Sequence, residues 1–172
     1  SGAFSKNTIG GNEVTSIGKG AFSHNTSITS VNLPKVSYLD KYAMASSKGI
    51  TSVSFAKLTN IGEYAFFETS ITELPLFDSN TAIGKYAFSH TKIKKVTLPD
   101  NIVISEGVFS ECKMLESVVV GNNVTLGKFA FNLSKDLAFS VKRYPNSNDK
   151  MFYYVFSSPI KSITIGDNVI IG

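Results

Sequence analysis

The side chains best suited to catalysis or metal binding in this chain are one cysteine, Cys112, and two histidines, His24 and His90. A thiolate can act as a nucleophile, and an imidazole can transfer protons or bind zinc. Each role needs further groups close by, and the thirteen acidic residues are scattered without a recurring pair. Gly-x-Ser-x-Gly, His-Glu-x-x-His, P-loop and Cys-x-x-Cys motifs do not occur. The sequence therefore predicts no enzyme activity, no metal site and no cofactor.

Two weaker patterns have ordinary explanations. Gly166-Asp167-Asn168 could open a calcium loop, but the alternating acids of such a loop do not follow, so a turn is predicted. Asn-x-Ser/Thr triplets begin at Asn25, Asn123 and Asn132. These triplets become glycosylation sites only in a secreted eukaryotic protein.

A repeat of about 22 residues organises the whole chain. A small residue precedes a large apolar one, and the large residue recurs after 22, 22, 22, 21, 22 and 25 residues. Such periodicity is typical of a solenoid, in which each repeat forms one turn of a coil. The pairs are Ala21-Phe22, Ala43-Met44, Ala65-Phe66, Ala87-Phe88, Val108-Phe109, Ala130-Phe131 and Val155-Phe156.

Each repeat also contains an apolar pattern that predicts one β-strand. An aliphatic residue is followed three and five residues later by two more apolar residues, and the last two alternate as in a strand. One strand cannot bury its apolar side alone, but successive turns can pair their strands in parallel, about 4.8 Å apart, around a shared core. The pattern spans 28–33, 50–55, 71–76, 93–98, 115–120 and 160–165, and a looser copy contains Leu137, Phe139 and Val141.

Glycine and proline mark the corners of the predicted coil. A glycine usually follows the aliphatic residue that precedes the Ala-Phe pair, and it indicates a turn with positive φ or a close approach of backbones. These glycines are Gly18, Gly62, Gly84 and Gly127. Proline follows two predicted strands, at Pro34 and Pro99, where it would end strand pairing. His24 and His90 share one column, three turns or about 14 Å apart, and are predicted to be exposed turn residues.

All 172 residues are expected to form a single domain of about seven repeats. Residues 2–5 resemble the end of an earlier repeat, and residues 169–172 resemble the start of a further one. Solenoids need polar caps, so we expect a fragment of a longer array, or ends that pair with another copy. The longest interval adds residues at 143–150, near Tyr144 and residues 152–154, which predicts either a repacked turn or an aromatic contact site.

The charge of the chain is mildly basic, with a net charge of +4 and a pI of about 9.1. Lysines cluster at Lys92, Lys94 and Lys95, with Lys85 nearby, and we interpret them as a solvated face, with a polyanion site as the alternative. No stretch reaches the ~18 apolar residues that cross a bilayer. The sequence therefore predicts neither a nucleic-acid partner nor a membrane segment.

The residues between the inward-facing strand positions point outward and form the predicted recognition surface. They are small and polar, with charges at the centre of the array. A broad, shallow sheet of this kind suits a protein or glycan better than a small molecule in a pocket, although the face could also be simply solvated. The candidate residues are Ser30, Asn32, Ser52, Ser54, Glu73, Lys95, Thr97, Ser117 and Val119, and Pro75 falls in the same outward column.

The motif Ile-Gly-x-Tyr-Ala-Phe, followed after about five residues by Ile-x-x-Val-x-Leu-Pro, resembles the BspA-like (Treponema pallidum type) leucine-rich repeat. The best copies begin at Ile83 and Ile61, and the resemblance covers residues 14 to 172. It implies a leucine-rich-repeat solenoid, an α/β right-handed superhelix that is rich in β-structure, with one short strand per repeat in a parallel sheet and little helix. Many repeats of that family carry a cysteine after the Phe, so Cys112 is predicted to be a small packed residue like its equivalents Asn25, Ser47 and Ser134.

The resemblance also implies a secreted or surface-anchored protein of bacteria or of some parasitic protists, several of which are adhesins. We therefore expect an extracellular or cell-surface binding module that mediates protein–protein contact or cell adhesion through the exposed face of the repeat sheet. Its partner would be a protein or glycan on a host or neighbouring cell. The alternative is a structural spacer, whose repeats present another domain and bind no ligand of their own.

Overall fold

The computed structural model describes residues 13–132 and 162–172, together with the backbone of two short strands at 8–10 and 156–157. The described chain winds into a coil whose turns stack on one another, and each turn has three sides. Its regular elements are all β-strands, and no helix occurs in these described ranges. The parallel solenoid predicted from the repeats is therefore confirmed.

The first side of the coil is the predicted strand, and these strands form a parallel set that we call the first ladder. Ser30 pairs with Ser52 and Val31 with Val53, so equivalent residues of successive turns lie side by side. Val31 is buried while the neighbouring Asn32 is exposed, as the alternating pattern requires. The strands of the first ladder are Thr8–Gly10, Ser30–Leu33, Ser52–Phe55, Lys95–Leu98, Ser117–Val120 and Ser162–Ile165.

The second side carries further parallel strands, which the sequence analysis did not assign. They form a four-stranded and a three-stranded sheet, which we call together the second ladder. A corner at Pro34 separates the two ladders, and it is closed by a hydrogen bond from Val36 N to Leu33 O at 3.0 Å. The buried Leu39 then pairs with the equivalent residue of the next turn, Ile61. The strands of the second ladder are Ser16–Ile17, Tyr38–Leu39, Leu58–Ile61, Phe77–Ile83, Val103–Ile104, Thr125–Leu126 and Ile170–Ile171.

The third side carries the Ala-Phe pairs and is also hydrogen-bonded from turn to turn. Phe66 N donates to Ala87 O at 2.8 Å, and Phe88 N donates to Val108 O at 2.9 Å. Further along this side, Phe131–Asn132 and Phe156–Ser157 form a short parallel pair of strands. Each of the three sides thus forms backbone hydrogen bonds to neighbouring turns, as buried backbone requires.

A single row of aromatic rings runs through the core and confirms the predicted column. The ring centroids of Phe66 and Phe88 are 5.0 Å apart, those of Phe88 and Phe109 are 5.5 Å apart, and those of Phe109 and Phe131 are 5.2 Å apart. The interplanar angles are 9°, 4° and 12°, so the rings are stacked. Met44 continues the row as a fully buried side chain.

The third turn departs from the prediction, because residues 69–76 form no strand. Pro75 is buried instead of pointing outward, and Leu76, which was predicted to face the core, is 70% exposed. Pro75 gives the physical reason, since it occupies the register position of Ser54 and Thr97 but has no N–H to donate to the neighbouring strand. The expected strand at 71–76 was therefore wrong, and the first ladder is divided into two three-stranded sheets.

The sixth predicted strand, with Leu137, Phe139 and Val141, lies outside the described residues, as do the aromatic residues near Tyr144. The strands on either side of it nevertheless pair directly in both ladders. Ser117 pairs with Ser162, and Thr125 pairs with Ile170. In the described structure, no strand of either ladder therefore lies between these paired strands.

The geometry of the corner after the second ladder explains one glycine in particular. A β-carbon on Gly62 would lie 2.4 Å from the carbonyl carbon of Asp40 in the preceding turn, which no real side chain tolerates. The φ angle of Gly62 is not positive. Close approach of backbones, and not a left-handed conformation, is therefore what this position requires.

Candidate functional site

The structure places most of the predicted recognition residues on one outward face. Asn32, Ser52, Ser54, Lys95 and Thr97 are exposed, and Ser30, Ser117 and Val119 are half-buried. The ladder registers align the residues in two columns, one beginning at Ser30 and one beginning at Asn32. Glu73 is exposed as well, but it lies on the irregular third turn and not on a strand.

The predicted continuous sheet face is interrupted at its centre by a groove. The strand Ser52–Phe55 ends one three-stranded sheet, the strand Lys95–Leu98 begins the other, and the irregular third turn lies between them. The groove has a volume of about 660 Å³. Its walls are residues 72–77 on one side and Lys94, Lys95 and Thr97 on the other.

The groove combines an apolar surface with charges of both signs. Leu76 is 70% exposed, which is unusual for a leucine in a repeat whose equivalents Leu33 and Leu98 are buried. Glu73 stands on the wall of the third turn, and Lys94 and Lys95 stand on the strand side. None of the ion pairs found within the described residues involves Glu73 or Lys95. Their charges therefore face solvent.

A second surface, on the third side of the coil, was missed by the sequence analysis. The rings of Tyr42, Tyr64 and Tyr86 stack on one another, with centroids 5.3 and 5.2 Å apart. Phe67 contacts Tyr64 edge-on at 5.4 Å and contacts the ring of His90 at 5.2 Å. The three tyrosines recur at the repeat spacing, which is the one trace of the stack that the sequence carries.

Charged side chains of alternating sign accompany the tyrosine stack. The Lys41 amino group lies 2.6 Å from Glu63 Oε2, and the Lys85 amino group lies 2.9 Å from Glu106 Oε2. Tyr86 Oη also donates to Glu106 Oε1 at 2.9 Å. The hydrogen bonds from Lys85 and Tyr86 lower the pKa of Glu106, and the one to Glu106 raises the pKa of Lys85. These groups hold adjacent turns together.

The cysteine is a packing residue, as predicted. Cys112 is buried, and its thiol donates to Phe88 O at 3.2 Å, one turn earlier. Burial raises the pKa of Cys112 to about 11, so the thiolate does not form at neutral pH. Ser47 makes the equivalent hydrogen bond to Phe22 O, which shows why Cys and Ser occupy one column.

The remaining candidate groups are turn residues. His24 and His90 both adopt left-handed φ angles, of 55° and 59°, and both are exposed turn residues, as predicted. Asn168 lies in a turn, as predicted for the Gly166-Asp167-Asn168 segment, and its amide donates to Asn123 Oδ1 at 3.1 Å. Asn123 donates in turn to Asn101 Oδ1 at 3.2 Å, so these side chains form a polar row along one corner.

Within the described parts of the chain, no three His, Cys, Asp or Glu side chains are grouped so that they could hold a metal ion. The same residues contain no helix with the length and apolar character that crossing a bilayer requires.

Comparison with known proteins agrees with the repeat architecture. The sequence matches the model of a protein family described as BspA type leucine rich repeat region. The match comprises six copies, over residues 3–116 and 81–171. Searches among curated proteins and among solved structures gave no match. The family match spans nearly the whole chain, and its repeat corresponds to the turn of parallel ladders and stacked phenylalanines seen here. The chain belongs to the BspA-type leucine-rich-repeat family.

Proposed function

We propose that this domain is an extracellular or cell-surface binding module that recognises a protein on a host or neighbouring cell. The groove between the two halves of the first ladder would be its binding site. BspA-type leucine-rich-repeat proteins are often surface-associated and protein-binding, and the solenoid fold is typically a binding or scaffold module without catalysis. The observation that carries the proposal is the groove itself, in which Glu73, Lys95 and the exposed Leu76 face one opening.

The chemistry of the groove suits a protein partner. Interfaces between proteins combine an apolar centre with polar groups at the rim, and Leu76 with its flanking charges has this arrangement. Charges that are free of intramolecular partners also steer association and select partners with complementary charge. A buried contact on Leu76 would remove its side chain from water and stabilise the complex.

The surface area of the groove alone is smaller than that of a stable interface, which buries about 800 Å² on each partner. The outward residues on either side of it extend the same surface. Ser52 and Ser54 flank it on one side, and Ser117 and Val119 flank it on the other. Small side chains allow a partner to approach the sheet closely, so the whole central face supports the proposal.

Charge reversal in the groove tests the proposal. Glu73→Lys and Lys95→Glu are compared with the wild-type chain for binding to purified extracellular-matrix proteins and to intact cells, by biolayer interferometry and flow cytometry. We expect each reversal to weaken binding about tenfold, and more strongly at low ionic strength, because unpaired charges contribute through long-range attraction.

The matched control is Lys113→Glu, which makes the same change of charge at an exposed residue that does not line the groove. Equal binding by Lys95→Glu and Lys113→Glu would contradict a site in the groove. If no matrix protein and no cell type bound the wild-type chain, the structural spacer would become the better explanation.

A further inference from the structure

The strand Lys95–Leu98 is an open edge in the middle of the coil. It pairs in parallel with Ser117–Val120 on one side, and it is the terminal strand of its sheet. On its other side, the third turn supplies no strand. Among the backbone hydrogen bonds of the described residues, the last one that joins the two turns here runs from Lys94 N to Thr72 O, at 3.4 Å.

The ladder register shows which backbone groups face the groove. Ser117 N donates to Lys94 O, and Gly121 N donates to Leu98 O. Residues 96 and 98 therefore direct their backbone N–H and C=O groups toward the strand Ser117–Val120. Lys95 and Thr97, which alternate with them, direct theirs toward the groove, and both residues line it. The edge thus presents two donors and two acceptors at strand spacing, since each residue carries one of each.

We propose that the groove binds an extended segment of the partner protein, which adds to the first ladder as a strand along Lys95–Leu98. This inference rests on the proposed function, because it names what the partner inserts at the same site. Open edges are templates for such pairing, in which backbone hydrogen bonds give affinity and alternate side chains give specificity. The segment would carry an acidic side chain opposite Lys95 and an apolar one against Leu76, to complement the walls of the groove.

Thr97→Pro tests strand addition at the level of one hydrogen bond. Proline removes the amide that faces the groove, while the pairing with Ser117–Val120 uses the neighbouring residues and stays intact. Thr97→Ala is the matched control, because it removes the side chain and keeps the amide. The probe is a phage-displayed library of linear octapeptides, selected on the wild-type chain, and the selected peptides are synthesised for calorimetry.

We expect Thr97→Pro to weaken peptide binding by roughly threefold to tenfold, as the loss of one backbone hydrogen bond requires, and Thr97→Ala to weaken it less than about twofold. Because Thr97→Pro could disturb folding, its thermal unfolding is compared with that of Thr97→Ala. In the wild-type chain, the peptide should also slow hydrogen exchange of the Lys95 and Thr97 amides, as measured by NMR.

Three results would overturn strand addition. The first is equal binding by folded Thr97→Pro and Thr97→Ala, and the second is unchanged exchange of both amides in the saturated complex. The third is a wild-type dimer, seen by sedimentation velocity and abolished by Thr97→Pro, which would assign the edge to a second copy of this chain. If binding were sensitive to Glu73→Lys and Lys95→Glu but equal for the two Thr97 variants, the proposed function would stand without strand addition.

Discussion

The ring of Tyr86 lies across Gly107 of the next turn, so closely that a β-carbon on Gly107 would come within 2.2 Å of the tyrosine Cε1. Gly107 also has a φ angle of +63°, which side chains rarely adopt. The tyrosine stack that begins at Tyr42 therefore ends on Gly107. The position of the Tyr86 ring requires that residue 107 has no side chain.

Gly107→Ala is expected to destabilise the protein by about 2 kcal/mol or more, because the left-handed conformation costs about 1–2 kcal/mol and the tyrosine ring must move. Urea unfolding followed by circular dichroism measures the effect. Gly18→Ala is the control, since nothing lies within 4 Å of that position, and it should change stability by less than about 0.5 kcal/mol. In a Tyr86→Ala background, part of the cost of Gly107→Ala should disappear, and an undiminished cost would contradict the contact.

Phe88→Ala is expected to cost about 3–5 kcal/mol, because it opens a cavity in the middle of the row of stacked rings. Phe88 is fully buried and has a stacked neighbour on each side, Phe66 and Phe109. Phe22→Ala serves as the control in the same column, since Phe22 is only partly buried and should cost clearly less. Equal unfolding free energies for the two variants would show that the row does not act as the continuous core described here.

Cys112 should resist thiol reagents until the protein unfolds. Its buried thiol has a pKa of about 11, so iodoacetamide at pH 8 should alkylate it far more slowly in the native protein than in urea. A raised folded pKa also makes stability depend on pH. Burial of the neutral Cys112 thiol contributes a stabilisation that is fully present below the ordinary pKa of about 9. About 2 kcal/mol of this stabilisation is lost as the pH rises toward 11.

Cys112→Ser isolates this effect from the titration of lysine and tyrosine side chains over the same range. Serine keeps a hydrogen-bond donor for Phe88 O, as Ser47 does for Phe22 O, so the variant should fold. It should lose stability less steeply than the wild-type chain between the ordinary pKa of about 9 and the raised pKa of about 11. Parallel pH profiles for the two proteins would contradict burial of a neutral thiol.

Pro75→Thr restores the amide that the third turn lacks and matches the equivalent residue of the next turn, Thr97. We expect residues 73–76 to pair with Ser52–Phe55, which would show as slow hydrogen exchange of the new amide at position 75 and as loss of ligand binding in the groove. Thr97→Ala, which alters the same column without restoring a donor, should leave the third turn unchanged. Rapid exchange at position 75 would mean that proline is not the cause of the interruption.

The coil was predictable from the sequence because its information is local and repeated. Phe66, Phe88 and Phe109 stand at nearly constant spacing, and any coil that brings them into one row must also bring Val96 beside Val118. The second ladder was not assigned, because strands as short as Tyr38–Leu39 leave almost no alternating pattern to recognise.

The sequence did not lead to the groove, because the apolar pattern of the third repeat favoured a strand despite its proline, Pro75. Ile71, Leu74 and Leu76 fit the strand template, but Pro75 removes the donor that a central strand needs, and a proline there was itself a sufficient warning. The tyrosine stack was missed for a different reason. Tyr42, Tyr64 and Tyr86 lie on a turn, where spacing along the sequence does not indicate which way a side chain projects.

The hydrogen bonds of all three sides run along the axis of the coil, and this direction sets how the domain would respond to mechanical load. Tension applied between its two ends acts on the turns in series, so the outermost turn would detach before the next one is loaded. Each detached turn of about 22 residues would lengthen the chain by roughly 75 Å. A domain of this construction would yield in small steps and would re-form when the load is removed.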